Sequence, residues 1–132
     1  MDQATMVASF LTPDMVAAGE QLVRALDGSG TRVTSALWLL PPEEQSWRLV
    51  VSSPEVAEKG PHAFYQKIDG MLRRQPNKSL STSSISAVPP SNPLIALFRI
   101  ALKTGQGFSN IRFTQNVING VLIPDAYVYR LN

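Results

Sequence analysis

His62 is the only histidine in the chain, and Glu55 and Glu58 lie just before it. An imidazole with two carboxylates is the residue set of a general base or a divalent-metal site. Gly60-Pro61 separates the acids from the histidine and breaks any helix that would align them. Such a metal site also needs ligands from elsewhere in the chain. His62 is therefore read as an exposed residue in the first turn of a helix. Lys103-Thr104-Gly105 matches one element of penicillin-recognising serine enzymes, but their nucleophile motif, Ser-x-x-Lys, occurs nowhere in this chain. Gly105 and Gly107 suggest a phosphate loop by spacing. Phosphate loops join a strand to a helix N-terminus, whereas these glycines follow a helix C-terminus, where the dipole is negative. They read as a helix stop.

The chain has no cysteine, which excludes disulfides, thiolate zinc sites and a cysteine nucleophile. It has no Gly-x-Ser-x-Gly, Walker or dinucleotide fingerprint. Glu43-Glu44 falls in a turn, where adjacent side chains point apart. These observations give no catalytic residue, no metal ligand and no cofactor. A hydrolase or nuclease built from carboxylates that converge only in space stays as one alternative.

The basic residues carry more information. Residues 1–58 hold eight acids and three bases, and residues 59–132 hold nine bases and two acids, so the overall charge of +2 conceals a split of −5 and +7. Asymmetry of this kind points to an anionic partner or to two halves that neutralise each other on folding. Arg73, Arg74 and Lys78 crowd the end of one helix, where they complement its dipole. Arg99 and Lys103 are like charges four residues apart, and pairing with the acidic half is the favoured expectation for them. Arg112, Tyr127 and Tyr129 share one face of the last hairpin, and tyrosine beside arginine suits a nucleic-acid base or a protein surface. These eight residues are the candidate anion or partner contacts.

The elements that must position them follow from local signals. Thr12-Pro13-Asp14 starts a helix over residues 13–27, with Met15, Leu22, Val23 and Leu26 at helical spacing. Residues 31–40 and 47–52 read as an antiparallel hairpin. The first of these strands is apolar on both faces and is expected to be central. Ser53-Pro54-Glu55 starts a short helical turn. A second helix spans residues 61–74, burying Phe64, Tyr65, Ile68, Met71 and Leu72. A weak strand follows near residues 82–88. Asn92-Pro93 caps a third helix, which is so apolar that it is expected to be the most buried one. Asn119-Gly120 suits a two-residue type I′ turn, which places Phe113 opposite Ala126 and Ile111 opposite Val128. Pro124 then demands an edge position or a bulge.

At 132 residues, 44% hydrophobic and 17% charged, the chain is read as one globular domain. The expected fold is α+β: a two-layer domain with a largely antiparallel sheet of four to five strands and about three helices packed mainly on one face. The N-terminus lacks a basic leader, and residues 94–102 are too short to span a bilayer, so a soluble cytoplasmic protein without membrane contact is expected. The expected function is that of a small non-catalytic binding or accessory protein, acting through a protein partner or as a homodimer. The other alternative is binding to a nucleic-acid backbone through the basic C-terminal part.

Overall fold

A computed structural model describes residues 10–41, 46–75, 79–102, 104–105 and 107–132. Helix α1 covers Pro13–Gly28, with the Thr12 hydroxyl accepting from the Met15 amide as the N-cap. Strands β1 (Ser35–Leu40) and β2 (Arg48–Ser52) pair antiparallel. Ser53 caps the short helix α2 (Pro54–Lys59), and α3 follows over Pro61–Arg74. A 3-10 turn at Thr82–Ser84 leads into β3 (Ile85–Val88). Asn92 caps α4 (Pro93–Ala101), and β4 (Ile111–Ile118) and β5 (Val121–Leu131) complete the chain.

The five strands form one sheet in the order β3-β2-β1-β5-β4. The sheet is mixed, not largely antiparallel: β3 runs parallel to β2, with Leu49 opposite Ile85 and Ser52 opposite Val88. The intervening α2 and α3 make the crossover that parallel neighbours require. β1 is the central strand, as its two apolar faces imply.

Both faces of that strand are covered. Ala36 and Trp38 join one hydrophobic cluster with Leu22 and Leu26 of α1 and Phe64 and Ile68 of α3. Leu37 and Leu39 join a second cluster with Ile95 and Phe98 of α4 and with Ala126 and Val128 of β5. Alternate residues of a strand point to opposite faces, so α4 lies across the sheet from α1 and α3. Val56 of α2 joins the α1 and α3 cluster, so three helices share one face and α4 alone covers the other. A sheet with a single covered face would have left Leu37 and Leu39 of β1 and Val50 of β2 in water.

α4 is also less enclosed than its composition implies. Only Ile95 and Phe98 are fully buried, while Ile100 is exposed. α1 buries five residues: Ala18, Gly19, Leu22, Val23 and Leu26. No helix among the described residues is long and apolar enough to cross a membrane.

Candidate functional site

The β4–β5 hairpin is built from its turn outward. Asn119 and Gly120 both take positive φ, 51° and 81°, as a type I′ turn requires. The register then runs Ile118–Val121, Val117–Leu122, Asn116–Ile123, Thr114–Asp125, Phe113–Ala126 and Ile111–Val128. The pairings deduced from the Asn-Gly turn therefore hold past Pro124. Regular alternation does not hold there. Ile123 and Ala126 both belong to the α4-side cluster, and so does Ile118, with Phe113 packed against it. The members of each pair stand an odd number of positions apart, three and five, so each strand turns over once. The change falls at Gln115, which has φ of 48°, opposite Pro124. Pro124 donates no ladder bond, and β5 pairs with β1 only from Asp125 onward.

Gln115 and Pro124 thus divide the hairpin into two parts. In the distal part, Ile118 and Ile123 face the α4-side core and are buried. Val117 and Leu122, which pair directly, face the other way and are 65% and 52% exposed. The distal arm is apolar on both faces but covered on one. Residues 113–124 contain no ionisable side chain, and β4 is an edge strand. Edge strands are ordinarily guarded by charges, prolines or bulges. Here the guard is the irregularity at Gln115 and Pro124.

The proximal part holds three of the residues singled out by sequence. Arg112 grips Asp125 through two bonds of 2.6 Å, and its guanidinium lies 5.5 Å from the centre of the Trp47 ring. Its pairing with Tyr127 in the register puts both on one face, as expected. Tyr127 is half-buried, and burial, with the Glu20 carboxylate adding to it, pushes its phenol pKa up. Tyr129 is fully buried and so presents no surface to a ligand. Its hydroxyl accepts from Trp38 Nε1 at 2.9 Å and donates to the Val16 carbonyl at 2.5 Å, tying β5, β1 and α1 together. Burial raises its pKa strongly. Gly19 makes that contact possible: a Cβ there would collide with the Tyr129 hydroxyl and stand 2.8 Å from Trp38 Nε1. Nothing in the sequence distinguished this glycine from any other helical one.

The charge split is partly neutralised across the fold. Arg130, only 3% exposed, binds Asp27 with two bonds of 2.9 and 3.0 Å and donates to the Val33 carbonyl. Its guanidinium also lies 5.2 Å from the Phe108 ring centre, and that of Arg24 lies 4.5 Å from it. Lys67 of α3 bridges Glu55 of α2 at 2.7 Å and the buried Thr31 at 2.8 Å. The Lys67 hydrogen bond, with its charge and that of Lys59, holds the Glu55 carboxyl below its ordinary pKa against the cost of burial. Arg73 pairs with Asp69 on its own helix. Arg74, at the end of α3, is exposed with no ion pair among the described residues. Lys78 and Lys103 lie outside the described residues. Arg99 does turn inward, but to main-chain oxygens and not to an Asp or Glu side chain: Nε and Nη2 donate to Asn132 O at 2.9 and 2.5 Å. The basic candidates are therefore spread over α3, α4 and the hairpin.

His62 is exposed at the start of α3. Among the described residues no group of three or more His, Asp or Glu side chains is placed to hold a metal ion. No protein-family model, no curated protein and no solved structure matches this chain.

Proposed function

We propose that the protein is a small binding or accessory protein that works through protein contact, and that the contact is the open face of the distal β4–β5 arm against the same face of a second copy. The observation that supports this reading is the pair Val117–Leu122, exposed on an arm whose other face is core. An apolar facet is complementary to itself, and a twofold axis lets each copy cover the other's facet. Because residues 113–124 carry no charge, two molecules of like net charge bring no repulsion to the contact.

Sedimentation velocity over a wide range of protein concentration tests this. The wild type should pass from monomer to dimer. The doubly substituted Val117→Lys, Leu122→Lys chain should stay monomeric with a melting temperature near that of the wild type, because both positions are solvent-exposed and such changes rarely exceed about 0.5 kcal/mol. A wild type that remains monomeric throughout contradicts self-association.

A further inference from the structure

A second feature lies at the opposite end of β5, away from the arm. Arg32, Thr34, Pro54, Pro90, Arg99 and Asn132 line an open cleft of about 450 Å³. Its place follows from the topology. Pro54 begins α2 just past Ser52, the last residue of β2, and Pro90 lies two residues past Val88, the end of β3. The cleft therefore sits at the carboxyl ends of the two parallel strands, where the chain leaves the sheet in diverging directions. In open sheets with parallel strands this is the edge at which ligands bind.

We propose that this cleft binds a small phosphorylated molecule, with Arg32 and Arg99 holding its phosphate. Both cationic groups belong to the lining, and no Asp or Glu side chain does. Arg32 is exposed and has no hydrogen-bond or ion-pair partner among the described residues. Arg99 is held in place by Asn132 O and, at 3.5 Å, by Pro90 O. A guanidinium has five N–H donors, and these contacts use three, which leaves two for a ligand. One arginine is thus fixed and the other is free to close on an anion. Two positive charges match the dianion of a phosphate monoester better than the single charge of a carboxylate, and guanidinium forks fit phosphate oxygens. Pro54 and Pro90 bring no amide N–H and offer apolar walls to the rest of the molecule. The volume lies in the range of pockets for small ligands, roughly 300–1,000 Å³.

The test is a nuclear magnetic resonance titration of the intact chain with inorganic phosphate, and separately with phenyl phosphate and acetate, at constant ionic strength. Saturable shifts at the Thr34 and Asn132 amides and the Arg32 and Arg99 Nε–H groups are expected, with a dissociation constant in the millimolar range or tighter. Phenyl phosphate should bind more tightly than inorganic phosphate, and acetate more weakly than either. Arg32→Gln should weaken binding by about tenfold or more without changing the melting temperature, since this exposed side chain has no hydrogen-bond or ion-pair partner among the described residues. Arg74→Gln, which removes an exposed arginine at the end of α3, should leave binding unchanged. Shifts that stay linear in phosphate concentration, acetate binding as tight as phosphate, or equal losses in Arg32→Gln and Arg74→Gln would each overturn the proposal. Arg99→Gln should weaken binding as well; because Arg99 also secures Asn132, Arg32→Gln is the deciding variant.

Discussion

β1 and the distal arm of β4–β5 share a pattern and differ in what surrounds them. Both are apolar on two faces. β1 has α1 and α3 on one side and α4 on the other, and Ser35 to Leu39 are all buried. The arm packs Ile118 and Ile123 against the α4-side core and leaves Val117 and Leu122 uncovered. In β1 the two-faced pattern is explained by the fold of one chain. In the arm it is half explained, and the unexplained half is the proposed contact. The comparison teaches that the same composition signals core or interface depending on whether the chain has elements left to cover it.

That difference sets the expected scale of substitutions. The largest effect should come from the β1 side. Tyr129→Ala removes a fully buried ring and leaves Trp38 Nε1 without its acceptor, so a loss of about 3–5 kcal/mol is expected in denaturant unfolding. A loss below about 1 kcal/mol would show that the tie between α1, β1 and β5 is not a core feature. Gly19→Ala should cost about 1–3 kcal/mol through overpacking, and less in a Tyr129→Phe background, because the collision is with the hydroxyl. Additive costs in that double substitution would place the strain elsewhere.

Within the arm, Gly120→Val should cost about 1–2 kcal/mol, since a β-branched residue resists φ of 81°. An unchanged melting temperature would argue against the type I′ turn. A control outside both regions is the pH dependence set by Glu55. Its folded pKa is depressed below the ordinary 4.5, so its contribution to stability is present above that value. The contribution is lost as pH falls through the lower folded value. Lys67→Met removes the chief cause, so the variant should lose less stability on acidification than the wild type, while dimerisation through the arm stays unaffected. Parallel acid profiles for the two proteins would show that the Lys67 contact does not shift Glu55.

Much of this was legible in the sequence where the signal was local. Thr12-Pro13 and Asn92-Pro93 marked helix starts because caps act within a single turn. Asn119-Gly120 set the hairpin register because a two-residue turn leaves no freedom in pairing. Pro124 announced an irregularity, though not that both strands would turn over there. The parallel pairing of β2 with β3 was not legible, since it joins residues 36 positions apart, Leu49 and Ile85, with no local trace. The position of α4 was partly legible: a central strand apolar on both faces already requires cover on both. Of the candidate contacts, Tyr129 proved to be core because its period-two position places it under α1, beside a glycine that looks neutral in sequence. Arg32 gives no signal in the sequence, because an isolated arginine in a loop carries no pattern. Only the fold shows that it lines the same cleft as Arg99.

The central claim is that the open face of the arm meets the same face of another copy. The most direct measurement is an isotope-filtered nuclear Overhauser experiment on a mixture of carbon-labelled and unlabelled protein at high concentration. Intermolecular contacts are expected between the methyl groups of Val117 and Leu122 in one copy and those of the other, with none to Ile118 or Ile123. Intermolecular contacts confined to another surface, or none at a concentration where sedimentation shows a dimer, would contradict it.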